Sequence, residues 1–167
     1  MTGTALGKIF EHNNWANSRI IEACFALSDE QLDAEPRSAT HGSIRRTLTH
    51  LVTAQRGYLR LLTLPLEDRL DPVASPPFAQ LREVASTIGE ALLALTRNEA
   101  SIPTKGRLQT RDGFFVEPWV VMVQVINHAT EHREQISSML SALSVTPPDL
   151  DGWRYGEVTA ALIPISP

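Results

Sequence analysis

Asn127-His128-Ala129-Thr130-Glu131-His132-Arg133-Glu134-Gln135-Ile136 lies at the centre of an unbroken segment running from Trp119 to Leu143. Neither Gly nor Pro interrupts it. Its apolar residues recur at helical spacing, which predicts one long helix whose buried face carries Val121, Val125, Met139 and Leu143. His128 and His132 fall on that same stripe. Side chains at i and i+4 stand one above the other on a helix, so these two imidazoles can share one divalent metal ion if other helices supply further ligands. Two core histidines hydrogen-bonded to ordinary partners would fit the same spacing.

Working back toward the N-terminus, three more helices are expected. The first spans Thr4 to Leu27, with Leu6, Ile9, Phe10, Ala16, Ile20, Ala23 and Leu27 on its buried face. Asn13 completes that stripe, and a buried polar residue requires a partner. It points either at a polar cavity or toward solvent. A short helical turn begins at Ser28 and ends before Pro36. Ser43 then caps a second long helix that runs to about Thr63, with Ile44, Leu48, Leu51, Tyr58 and Leu62 on its apolar face. His50 adjoins Leu51 and can turn toward the same core. Gly57 costs about 1 kcal/mol relative to Ala inside a helix, so close helix packing or room for a ligand is expected there. Pro65 ends this helix, and the proline-containing stretch from Leu66 to Pro77 reads as a surface connection. Phe78, Leu81, Ala85, Ile88, Leu92 and Leu95 define a third bundle helix reaching about Asn98.

Between the third helix and the long one, Asp112-Gly113 separates two short β-capable runs, Leu108-Gln109-Thr110 and Phe114-Phe115-Val116. That pattern predicts a β-hairpin, which must lean on the bundle or on a second subunit because two strands alone are marginal. Pro118 suits the first turn of the last long helix. Beyond Pro147-Pro148, a short helix from Arg154 to Leu162 is expected to pack Trp153 and Tyr155 onto the bundle. The pattern as a whole is all-α: a four-helix bundle with a small hairpin inserted before the last long helix, and one domain over residues 1–167.

Composition narrows the functional classes. The chain is 43% hydrophobic and 20% charged, the balance of a globular domain rather than a disordered one. A formal net charge of −4 and the absence of any basic run argue against a nucleic-acid partner. Arg45-Arg46 reads as a solvated helix turn. No apolar stretch approaches the about 20 residues needed to cross a bilayer. Lys8, Glu11 and His12 stand where a signal peptide would need its apolar centre, so a cytoplasmic location is expected. The lone Cys24 allows no internal disulfide and reads as a small core residue.

In a four-helix bundle His50 can meet His128 and His132. Three neutral imidazoles leave a coordination position open, as catalytic rather than structural sites do. A metal held this way can lower the pKa of water, polarise a carbonyl or bind a thiolate. Two rival motifs fail. His128-Ala129-Thr130-Glu131-His132 matches the H-x-x-E-H of inverzincin peptidases, but too little chain follows His132 to supply their distant Glu ligand, and Glu131 faces away from the stripe. A ferritin-like di-iron site needs Glu three residues before each His, where this chain has Val125 and Ala129. His12 and His41 read as surface residues. Tyr58, Asn13 and Arg133 are the remaining polar groups with a possible role beside the histidines. No further acid, base or nucleophile stands out there.

Three elements resemble the DinB/YfiT-like proteins. Asn14-Trp15-Ala16-Asn17 is similar to that family's first-helix motif. Ser43-Ile44-Arg45-Arg46-Thr47-Leu48-Thr49-His50-Leu51 resembles the element ending in its first metal ligand, and Asn127 through Ile136 resembles the segment that supplies the other two. Their order and spacing agree over nearly the whole chain. The resemblance implies a four-helix bundle, often a homodimer, with His50, His128 and His132 around a divalent metal, commonly nickel or zinc. It also implies an enzyme in which the metal activates a small nucleophile, either water or a low-molecular-weight thiol, since characterised relatives include thiol transferases and a thiol-dependent isomerase. The competing expectation is a non-catalytic metal-binding or stress-response module.

Overall fold

A computed structural model describes residues 3–37, 39, 42–69, 71–97 and 106–165 of the 167-residue chain. Its long helices are α1 (Ala5–Phe25), α3 (Ile44–Thr63), α4 (Leu81–Arg97) and α5 (Pro118–Ala142), with the short α2 (Asp29–Asp33) and α6 (Gly152–Val158) between and after them. Helix α1 packs against α4 and α5, and α3 packs against the same two, so the four long helices close a ring around one core. Phe10, Ile20, Leu48, Leu51, Leu92, Val125, Ile136, Met139 and Leu140 meet there, all buried. Each such side chain contributes about 1.5–3 kcal/mol by leaving water. The expected all-α architecture is what forms.

Local signals set the helix starts. Ser43 Oγ accepts from the Arg46 amide, and Ser28 and Gln31 form a reciprocal capping box at the head of α2. Pro118 occupies the first turn of α5. At the other end of α5, Ser144 adopts a positive φ of 59° and the Val145 amide donates to Leu140 O, a Schellman-type stop that seats Val145 on the core. Residues Phe78–Gln80 form a 3₁₀ turn rather than the first turn of α4, which begins at Leu81, after Pro76-Pro77. Asn98, the expected end of that helix, lies outside the described residues.

The hairpin pairs β1 (Leu108–Gln109) with β2 (Phe115–Val116), antiparallel, in the register Leu108↔Val116 and Gln109↔Phe115. Gly113 supplies a φ of +90° in the turn, where a side chain would be strained. Leu108 and Val116 lean on the bundle core, while Phe114 and Phe115 remain exposed. Its support on the chain's own bundle therefore comes from one face only.

Several expectations are corrected. Ile9 is exposed, because the buried row of α1 runs through Phe10, Asn13, Asn17, Ile20, Ile21 and Cys24, one position away from it. Gly57 is not a close-approach glycine: a Cβ there would meet only Val73, at 3.8 Å. It instead borders a cavity of about 170 Å³ between α3 and the hairpin. The close approach is at Gly89, where a Cβ would lie 2.7 Å from Asn14 Oδ1. Asn14 Nδ2 donates to the Gly89 carbonyl at 2.8 Å and so joins α1 to α4. Arg45 is more than solvated surface: it bridges to Asp33 and Asp29, tying α2 to α3. In the C-terminal segment, helix α6 ends at Val158 and Trp153 is 72% exposed. Only Tyr155 packs as expected, against Trp15 and His12.

Candidate metal centre

His50 projects from α3, and His128 and His132 from consecutive turns of α5. The α3–α5 contact brings the three rings together. His128 Nε2 lies 3.2 Å from His50 Nε2 and 3.1 Å from His132 Nε2; the His132 ring meets each of the other two nearly edge to face, and the His50 and His128 rings are tilted by 54°. One potential ligand atom from each residue falls within 4.8 Å of the others. The group could hold a metal ion. Two nitrogens bound to one ion at about 2.05 Å stand about 2.9 Å apart at a right angle and about 3.3 Å apart at the tetrahedral angle, and the two spacings made by His128 Nε2 fall between. The donor chemistry also fits. A cation takes all the converging lone pairs at once, whereas one N–H proton between two rings serves a single contact.

Burial is graded across the group. His132 is only 2% exposed, His128 is intermediate, and His50 opens to solvent. Access is therefore from the His50 side. Tyr58, one turn beyond Ala54 on α3, packs edge-on to His128 with ring centroids 5.6 Å apart. Its hydroxyl is within 3.5 Å of Gln124 Nε2, and partial burial raises its pKa above the ordinary phenol value.

Beside the histidines sits a polar cluster that locks α5 against α1. Arg133 is buried, and its Nη1 donates to Asn13 Oδ1 at 2.8 Å and Asn17 Oδ1 at 2.6 Å, while Nη2 donates to Thr130 Oγ1 at 2.9 Å. No carboxylate forms an ion pair with it among the described residues. Burial pushes its guanidinium down to about 10, so it remains charged at neutral pH. Asn13 thus faces neither a cavity nor solvent: it accepts from a buried cation. Since Arg133 follows His132 directly, this anchor sets the rotation of α5 and with it the aim of both α5 histidines. Gln55 adds a second lock, donating from Nε2 to the Val125 carbonyl at 3.0 Å.

Gln135 is the contact that sequence reading left inside a motif without a role. Its Oε1 lies 2.7 Å from His132 Nδ1. The spacing from 132 to 135 is the signal, since i and i+3 share a helix face. His12, in contrast, is half-buried and not part of the cluster, its Nε2 donating to the Leu150 carbonyl at 2.8 Å to strap the C-terminal segment to α1. His41 lies outside the described residues. Cys24 is fully buried, and desolvation pushes its thiol up to about 12, as suits a core residue. Glu131 is exposed. No described helix is long and apolar enough to cross a membrane.

A helical bundle with three converging imidazoles from two facing helices defines the general class: a bundle protein with a histidine cluster that could bind a metal. Comparison with known families makes the assignment specific. The DinB family model matches residues 1–164, so the chain belongs to the DinB family. No curated protein matches it.

Proposed function

We propose that His50, His128 and His132 bind one divalent metal ion through their Nε2 atoms, and that the centre serves an enzyme acting on a small molecule. The convergence of three Nε2 atoms, with a solvent-facing side at His50, carries this reading. Neutral imidazoles suit zinc and nickel among the available divalent ions. Such an ion, when bound, supplies Lewis acidity that favours the deprotonated form of a small nucleophile, water or a low-molecular-weight thiol. The chain's own residues do the rest. The buried side of the cluster keeps water from the α5 side, Arg133 and Gln55 fix the orientation of α5, and Tyr58 borders the site beside His128. The activity proposed for such a centre is that of a thiol transferase or a hydrolase.

The rival reading is a metal-binding or stress-response module without turnover. Metal analysis of the purified protein, followed by assays with cellular thiols and electrophiles, separates the two. Stoichiometric zinc or nickel with thiol-dependent turnover supports the enzyme, and stoichiometric metal without turnover supports the module. Protein without metal, or a His128→Ala variant that keeps it, overturns both.

The same reading includes a cytoplasmic homodimer in which each chain forms one domain. Exposed Phe114, Phe115, Trp119 and Val123 on the hairpin and the start of α5 offer apolar surface for a second copy. Sedimentation giving a monomer of 18.4 kDa at micromolar concentration removes the dimer.

A further inference from the structure

We propose that Gln135 is a positioning residue that fixes the ring tautomer of His132, leaving its Nε2 lone pair aimed at the cluster. This rests on the metal reading for its purpose, though not for its geometry. His132 Nδ1 and Gln135 Oε1 are 2.7 Å apart, a short contact for a neutral pair. Which end of the Gln135 amide faces His132 is decided by the other neighbour. Gln135 Nε2 lies 3.5 Å from the Glu131 carboxylate, one turn back on α5. A carboxylate accepts and does not donate at neutral pH, so the amide NH2 faces Glu131 and the carbonyl oxygen faces the ring. A carbonyl oxygen only accepts, so the proton of a neutral His132 ring sits on Nδ1. Its Nε2 then carries the lone pair, directed at His128 Nε2 3.1 Å away.

Glu131 and Gln135 are four residues apart and His132 and Gln135 three apart, so each pair is in reach along α5: Glu131 orients Gln135, and Gln135 orients His132. A hydrogen bond of this kind on the distal nitrogen of a metal-binding imidazole both sets the tautomer and holds the ring plane. His132 is the buried member of the three. It has the least access to water, and a protein acceptor takes the role that solvent would fill at an exposed ring. Glu131 contributes less than Gln135, because its contact is long and solvent-exposed.

The experiment compares the wild-type chain with Gln135→Met, which keeps length but removes the acceptor, and with Gln135→Glu, which keeps an acceptor in the same place. Nitrogen-15 NMR of the histidine rings in metal-free protein reads the tautomer, and competition with a chromophoric chelator reads the affinity for zinc ion alone. The expected result is an Nδ1–H tautomer at His132 in the wild type and in Gln135→Glu, and loss of that tautomer in Gln135→Met. Zinc affinity is expected to fall about 10- to 100-fold in Gln135→Met and to be retained in Gln135→Glu. Glu131→Ala is expected to change affinity by only a few-fold. An Nε2–H tautomer at His132 in the wild type overturns the proposal, as does a Gln135→Met variant with wild-type tautomer and zinc affinity. If the wild type binds no zinc, the metal reading fails, and the tautomer comparison alone still decides the role of Gln135.

Discussion

Replacing Asn13 by Leu tests whether the buried Arg133 anchor holds α5 in register. In the native protein the amide oxygens of Asn13 and Asn17 are what Arg133 Nη1 has in place of water, at 2.8 and 2.6 Å. A guanidinium pushed down to about 10 by burial already carries a cost of about 3 kcal/mol. Removing one of the two acceptors of Nη1 forfeits a charge-assisted hydrogen bond of about 1.5–3 kcal/mol. Part of that loss is offset, because Asn13 Nδ2 is itself buried without a hydrogen-bond partner and Leu removes it. A net destabilisation of about 2 kcal/mol is expected, equivalent to a fall in Tm of about 4–8 °C for a chain of this size. In an Arg133→Met background the same Asn13→Leu change should be close to neutral, since an apolar pair replaces both partners together. The coupling energy from the double-mutant cycle, measured by urea unfolding, is therefore expected at about 2 kcal/mol. Equal costs of Asn13→Leu in both backgrounds would refute the reasoning and make the contact incidental.

Zinc or nickel at one hundred times its dissociation constant is expected to stabilise the protein by about 2.7 kcal/mol, and a thermal melt with and without the ion reads this; His128→Ala should abolish the shift. An imidazolium has no lone pair to give, so metal affinity should be steady above the ordinary histidine pKa of about 6.5 and fall as the pH drops through it, which a chelator competition series would register. Gly89→Ala should cost about 1–3 kcal/mol, because the new Cβ meets Asn14 Oδ1 at 2.7 Å and displacing that side chain breaks its bond to the Gly89 carbonyl. Gly57→Ala should instead raise stability by up to about 1 kcal/mol, since its nearest neighbour is 3.8 Å away; chemical denaturation of the pair decides both. The Cys24 thiol, buried and raised to about 12, should resist alkylation in the native protein at pH 8 and react once it is unfolded, as mass spectrometry would show.

What the sequence by itself determined is what depends on neighbours along the chain. Helix positions followed from apolar spacing, the start of α3 from Ser43, the hairpin turn from Asp112-Gly113, and the pairing of His128 with His132 from a separation of four. These follow from backbone geometry and period, which act within a few residues. The resemblance to the DinB/YfiT-like proteins added His50, which spacing alone could only offer as a candidate. Tertiary structure decided the rest. Whether Asn13 met solvent, a cavity or a cation depended on Arg133, 120 positions away. Ile9 lies outside the core because the buried row of α1 runs through Phe10, Asn13, Asn17, Ile20 and Cys24. The glycine that mattered proved to be Gly89 rather than Gly57, because close approach belongs to two helices at once. Trp153 stayed in solvent while Tyr155 found His12 and Trp15. In each case the deciding energy comes from desolvation and contact between segments far apart in sequence, and local periodicity carries no record of which segment will arrive opposite.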